Sequence, residues 1–290
     1  MTIRHLVLTG GGGHAVLRSL GAYQQLEKDN FLNIKNIETI WGTSAGTIVG
    51  TFICLNMDWE VINSYLIERP WHEVFAININ NLIDLYNKKG LYDIDLIKKM
   101  FKPLFALKDL SVDITLNEFF EYSNIELHFS TFEINNFELM DISYKTHADL
   151  SLLTAIQMSC GLPVIFSPVC IDDKIYIDGG IKSSYSLNEC IKNKYSIDEI
   201  MGFKNQYNDS KINIPSDSNF IDYIITFIFK IIRSMGNTES PYIKHELGFP
   251  AFCLTFDMLK DCSESKELRE SLLLQGTEIG ANYFKTVLKN

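Results

Sequence analysis

A serine hydroxyl becomes a nucleophile where a partner can take its proton and where aligned donors can hold the negative charge that follows. Gly42-Thr43-Ser44-Ala45-Gly46 fits G-x-S-x-G and lies between an apolar, strand-like run (IETIW) and a helix-like run (TIVGTFICL). A serine on a sharp strand-to-helix turn needs small residues two before and two after it, so that strand and helix can approach. Gly42 and Gly46 meet that demand, and Gly50 one turn later lets the helix pack closely. The turn aims Ser44 at a helix N-terminus, whose free N–H groups and dipole favour developing negative charge.

A second donor array is Gly10-Gly11-Gly12-Gly13, which follows a strand-like run and opens a helix. Four consecutive glycines cost conformational entropy, so they imply positive φ or the close approach of a ligand. Their N–H groups could face the serine as an oxyanion hole. Alternatively, Gly10-x-Gly12-x-x-Ala15 could seat a dinucleotide pyrophosphate on the helix N-terminus. That fingerprint also needs an acid at the end of the second strand. Here the strand ends in Gly42-Thr43-Ser44, and the nearest acid, Glu38, stands near its start.

The hydroxyl proton needs an acceptor. The histidines are His5, His14, His72, His128, His147 and His245. A triad in the order serine, acid, histidine would use Ser44, Asp178 and His245, but in that fold several strands precede the nucleophile. Only 43 residues precede Ser44, room for one β-α-β unit, and His245 in PYIKHELGF has no distinguishing context. Asp178 has one: Ile175-Tyr176-Ile177 is a β-like run that delivers it to a strand end, and Gly179-Gly180 leaves the approach open. Strand carboxyl ends are where α/β proteins gather their ligand sites. Desolvation there would raise the carboxyl pKa above about 3.9 and make it a better proton acceptor. Taken alone, D-G-G also reads as a β-turn.

Positioning these groups falls to the early chain. Residues 5–9 read as a strand, followed by the glycine loop, a helix through Leu26, a strand over 37–41 and a helix over 45–55. This β-α-β-α opening predicts an α/β fold with a mostly parallel sheet. Residues 126–134 and 137–142 read as a hairpin turned at Asn135-Asn136. Residues 151–160 read as a helix stopped by Gly161 and Pro163, and 174–177 as a short strand. Residues 191–290 hold helix-like stretches without recognisable chemistry.

With 290 residues, 46% of them hydrophobic, the chain can bury one large core without disulfides or metals, so a single domain over 1–290 is expected. Its catalytic core would span about 5–190, with a helical portion over 191–290. The formal charge of −10 has the wrong sign for holding a polyanion, which excludes nucleic acid as the expected partner. Six cysteines show neither C-x-x-C nor zinc-ligand spacing and read as reduced thiols, so no metal is expected.

Five ordered blocks together resemble the patatin-like phospholipases, lipid acyl hydrolases with a Ser-Asp dyad and no histidine. The blocks are the first strand with its glycine loop, LGAYQQLE, GTSAG, AIQMSCGLPVIFSPV and YIDGGIKSSYSL, covering about residues 5–190. Within the fourth, Ala155, Ser159, Pro163, Phe166 and Pro168 stand at the positions expected of the family's segment leading to its aspartate. The resemblance implies a three-layer α/β/α fold with Ser44 as nucleophile, Asp178 as general base and the N–H groups of Gly11, Gly12 and Gly13 as oxyanion hole. Gly42, Gly46, Gly179 and Gly180 are then motif positions. It implies acyl-ester hydrolysis of the phospholipase A type on a phospholipid or other acyl lipid, with no metal or cofactor.

Two departures stand out. His14-Ala15-Val16 occupies places where the family usually has a residue, then Arg or Lys, then Gly, which leaves Arg18 or His14 to replace the charge. Ser183, Ser184 and Ser186 stand where Asn and Pro are common. They keep open a second reading, a patatin-fold lipid-binding or regulatory protein with weakened catalysis.

The most apolar stretch, FIDYIITFIFKII over 220–232, is too short to span a bilayer and carries Asp222 and Lys230 inside it. It could be a buried core helix, the wall of an acyl channel, or a helix lying on a membrane. The first residues offer only a short apolar run that stops at glycines, so neither a signal peptide nor a transmembrane helix is expected. The location expected is cytoplasmic, with peripheral contact at membranes.

Overall fold

Four buried residues, His5-Leu6-Val7-Leu8, form β1 (His5–Leu8), from which the sheet grows in both directions. The computed structural model describes residues 2–77, 79–207, 214, 216–235, 241–251 and 255–288; Cys253 lies outside them. After β1 the chain turns into α1 (Gly12–Lys28), returns as β2 (Thr39–Thr43) and starts α2 (Ala45–Leu55) directly after Ser44. Helices α3 (Trp59–Glu68), α4 (Trp71–Val74) and α5 (Ile79–Lys88) lead to strand β3 (Gly90–Tyr92). Helices α6 (Ile94–Ala106) and α7 (Leu116–Ser123) precede the hairpin β4 (Glu126–Glu133) and β5 (Glu138–Ile142). Next come α8 (Leu152–Cys160), β6 (Val164–Phe166), β7 (Val169–Ile171) and β8 (Lys174–Asp178). The chain closes with α9 (Leu187–Lys192), β9 (Ile200–Tyr207), α10 (Phe220–Met235), β10 (His245–Ala251), α11 (Phe256–Glu264) and α12 (Lys266–Val287).

The sheet runs β10-β9-β1-β2-β4-β8-β7, and β5 pairs with β4 off that path. From β10 to β4 every pair is parallel, whereas β8 is antiparallel to both β4 and β7. Alternate residues of β1 face opposite layers, as strand geometry requires. Leu6 and Leu8 join Leu20, Tyr23, Val49 and Ile156 in the main core, under α1, α2 and α8. Val7 joins Trp41, Ile200, Leu187 and Cys190 beneath α9. This is a three-layer α/β/α arrangement with a mostly parallel sheet. Along α1 lies α12, close enough that a Cβ on Gly276 would sit 2.0 Å from the Arg18 carbonyl oxygen.

Most early elements fall where the spacing predicts, with two instructive differences. The second strand begins at Thr39, because Ile37 still closes a turn onto Ile34, and it continues through Gly42 and Thr43, which face Phe129 and Ser130. The portion after residue 190 is not helical throughout, since β9 and β10 extend the sheet from β1. Lys204, Asn205 and Gln206 hide β9 in the sequence: it is a strand because β1 pairs with its first half, Ile200 to Phe203, and β10 pairs along it through those polar residues. The stretch 220–232 is helical but only partly buried. Ile225 is fully covered, while Phe220, Tyr223, Phe227 and Ile231 form an exposed stripe. Among the described residues no helix is long and apolar enough to cross a membrane, and none form a cluster suited to a metal ion.

Candidate active site

Ser44 occupies a backbone conformation that side-chain-bearing residues rarely adopt, φ 51° and ψ −120°. The neighbouring contacts impose it. A Cβ on Gly42 would lie 2.7 Å from the Thr47 nitrogen, and one on Gly46 would lie 2.2 Å from the Leu8 carbonyl oxygen. Only glycines at both places let α2 start on top of β2 and against β1. Two hydroxyls then hold the turn: Thr47 Oγ1 donates to the Ser44 carbonyl at 2.7 Å, and the Ser44 N–H donates to Ser159 Oγ at 2.9 Å.

The glycine loop lies directly against this turn, with the place of a Gly10 Cβ 3.3 Å from Ser44 Cβ. Gly11 and Gly12 have φ of 135° and 65°, the left-handed region that glycine supplies without strain. Gly10 N–H donates to the Ser184 carbonyl at 2.8 Å, and the Gly10 carbonyl accepts from Asn205 Nδ2 at 2.7 Å. The N–H groups of Gly11, Gly12 and Gly13 open α1, where first-turn donors have no intrahelical acceptor. Two helices therefore begin beside the Ser44 hydroxyl, and their dipoles favour an oxyanion there. The loop that a dinucleotide would need for its pyrophosphate is turned toward Ser44 instead.

Strand register brings Asp178 to the same place. Thr43 stands opposite Ser130, and the next residue of β4, Thr131, stands opposite Asp178. Gly179 then passes so close that a Cβ would be 2.4 Å from the Ser130 carbonyl oxygen. Asp178 is 6% exposed, and burial pushes its carboxyl up from 3.8 to about 6. The nearby Ser44 hydroxyl and the hydrogen bond from the Gly180 N–H, 2.7 Å long, oppose that rise by favouring the ionised form. A hydroxyl within reach of a desolvated carboxylate can transfer its proton as it attacks an electrophile. Beside them the buried Cys160 thiol is raised to about 12, so it is neutral at physiological pH.

The departures from the expected pattern resolve into specific contacts. Arg18 does not serve the glycine loop: its Nε donates to Gln275 and its Nη1 to the Pro250 carbonyl at 2.6 Å. His14 is held neutral, since burial first and then the Arg18 charge lower its pKa, and both its ring nitrogens are buried. Neither side chain brings a positive charge to the loop, whose donors there are backbone N–H groups. Of the serines after Gly180, Ser184 anchors the loop through its carbonyl, Ser186 Oγ meets Thr43 Oγ1 at 2.7 Å, and Ser183 donates to the Tyr185 carbonyl. His245 is remote, at the starting end of its strand, opposite Met201 and bonded to the Tyr283 hydroxyl at 2.8 Å.

Ser44, Asp178 and the glycine loop share one cavity of about 500 Å³ with a mostly apolar lining. Phe229 and Ile232 of α10 line it, in keeping with the channel-wall reading of 220–232, while Phe256 and Leu259 of α11 and Trp71 of α4 contribute walls that the motifs do not reveal. Asn205 and Ser159 were likewise not singled out for a role. Asn205 lies in a strand whose pattern gave no signal, and Ser159 stood in the sequence only as a motif position.

A three-layer sheet with a serine elbow, a facing glycine loop and an aspartate at the adjacent strand end defines a class of α/β proteins. The chain belongs to the patatin-like phospholipase family, whose model matches residues 6–191. It is 29% identical over 231 residues, 77% of each chain, to the "Probable lipid hydrolase 463L" of Invertebrate iridescent virus 6. It is also 26% identical over 254 residues, 84% of this chain and 82% of the other, to the "Uncharacterized protein R571" of Acanthamoeba polyphaga mimivirus. Among solved structures, VipD from Legionella pneumophila superposes with a TM-score of 0.54 at 15% identity, over 99% of this chain and 67% of that one, a likeness of fold.

Proposed function

We propose that this protein is a lipid acyl hydrolase of the phospholipase A type, with Ser44 as nucleophile and Asp178 as general base. The observation that carries the reading is the placement of both side chains and the glycine loop on one apolar cavity of about 500 Å³. Ser44 Oγ attacks the ester carbonyl carbon as its proton passes to Asp178. The N–H groups of Gly11, Gly12 and Gly13 hold the oxyanion. Collapse breaks the ester C–O bond, and Asp178 returns the proton to the departing alcohol, leaving an acyl-Ser44. Water then attacks the acyl carbon, giving a proton to Asp178. The fatty acid leaves as Ser44 Oγ recovers that proton. An apolar cavity suits the acyl chain and keeps bulk water from the carboxylate.

The substrate of such an enzyme lies in a bilayer, and α10 is built to meet one. One side of the helix lines the cavity with Phe229 and Ile232. Another presents Phe220, Tyr223, Phe227 and Ile231 at helical spacing. Peripheral contact through this stripe would place the cavity next to lipid.

The test uses a fluorophosphonate probe together with mixed phosphatidylcholine vesicles. Labelling of the intact protein at Ser44, with release of fatty acid that Ser44→Ala and Asp178→Asn both lose, is the result expected. Lipid binding without labelling or turnover would favour the binding-protein reading.

A further inference from the structure

We infer that Ser159 is a positioning residue: its hydroxyl fixes the Ser44 elbow and, with the residues on either side of it, sets the separation between Ser44 and Asp178. This inference rests on the Ser44–Asp178 reading above.

Ser159 is fully buried at the end of α8, and its one oxygen is used twice. It accepts the Ser44 N–H at 2.9 Å and donates to the Ser130 carbonyl at 2.6 Å. The Ser44 backbone is therefore tied through one atom to β4, the strand that also pairs with Asp178. Two residues later, the Gly161 carbonyl accepts the Asp178 N–H at 3.1 Å. Just before Ser159, the Met158 carbonyl accepts from Thr131 Oγ1 at 3.0 Å, and the same hydroxyl reaches the Ile177 carbonyl at 2.8 Å. The run from Met158 to Gly161 thus touches the nucleophile's backbone through Ser159 and the base's backbone through Gly161.

The consequences are chemical as well as mechanical. Ser44 holds a backbone conformation that is costly for a residue with a side chain and persists only where surroundings over-determine it. A buried N–H without an acceptor adds to that cost. Loss of the Ser159 hydroxyl removes the acceptor and lets the elbow relax. The Ser44 N–H is also spoken for by Ser159, so it is not an oxyanion donor, and that duty falls to the glycine loop and the start of α2.

The experiment compares the full-length wild type with Ser44→Ala, Ser159→Ala and Leu153→Ala. Leu153 is a buried residue of the same helix that lies outside the cavity lining. Readouts are kcat and KM for a soluble acyl ester, their pH dependence, and the thermal midpoint. Turnover by wild type and none by Ser44→Ala establishes the underlying reading; no turnover by wild type would defeat that reading itself. Given turnover, Ser159→Ala is expected to lower kcat about 100-fold, the scale of a misplacement of roughly 1 Å, with KM within about twofold. Its acid limb should move to higher pH, because a displaced Ser44 hydroxyl no longer favours the Asp178 carboxylate. Leu153→Ala should lose thermal stability while keeping kcat and the acid limb. An unchanged kcat in Ser159→Ala, or a loss no greater than in Leu153→Ala with the acid limb unmoved, would overturn the inference.

Discussion

Thr131 of β4 stands opposite Asp178 of β8 in antiparallel register, one residue beyond the position at which β4 pairs in parallel with the residue before Ser44. A parallel neighbour on one side and an antiparallel neighbour on the other bring two distant chain segments to one strand end. A carboxylate and a hydroxyl meet there over an apolar cavity, and the following outcomes depend on that meeting.

Asp178→Asn should abolish turnover yet stabilise the fold at neutral pH. Burial raises this carboxyl from 3.8 to about 6, so the ionised form is disfavoured in the folded protein. Relative to the unfolded chain, its contribution is fully present below about pH 3.8 and lost as pH rises through about 6. A shift of about two units corresponds to a cost of about 3 kcal/mol at pH 7. Thermal melts of wild type and the amide variant should diverge near pH 7 and converge toward pH 4.

With Asp178 as the proposed general base, the same raised pKa would set the acid limb of activity. Only the carboxylate can take the Ser44 proton, so kcat/KM should fall about tenfold per unit as pH drops below about 6. A pH profile on a soluble ester checks this. His245→Ala should leave the profile unchanged, since that imidazole bonds Tyr283 at the far end of its strand.

Arg18→Met separates stability from anion binding. The guanidinium holds Gln275 and the Pro250 carbonyl away from the glycine loop, so kcat/KM should stay within about threefold. Two hydrogen bonds from a buried charge are lost, and the fold should weaken by about 2 kcal/mol. Denaturant titration alongside the ester assay checks both halves.

Gly46→Ala should be poorly tolerated, because the new methyl would sit 2.2 Å from the Leu8 carbonyl oxygen, a backbone atom with nowhere to move. A loss of about 3 kcal/mol or failure to fold is expected, read by circular dichroism and thermal unfolding.

Phe227→Asp probes the outer face of α10. Phe227 is 47% exposed and outside the cavity lining, so hydrolysis of a soluble ester should persist. Partition onto phosphatidylcholine vesicles should fall roughly tenfold, as expected for replacing an apolar side chain at an interface with a charge. Co-sedimentation measures it.

Much of this site was legible because its parts are local. Gly42 and Gly46 flank Ser44 within one turn, the four glycines open one helix, and Asp178 ends one short strand. Steric demands of that kind act over a few residues, so they leave a trace in the order of residue types. The fold class followed from the same β-α-β-α opening. What only the tertiary structure decided was contact between distant segments: β9 pairing with β1, α10 and α11 walling the cavity, Arg18 turned to Gln275, and Ser159 holding the elbow. Each depends on strand register and on which hydroxyl or carbonyl a folded chain happens to bring near. A polar residue in a strand or an apolar helix reads the same whichever neighbour it meets, because its partner is set by the packing of the whole sheet.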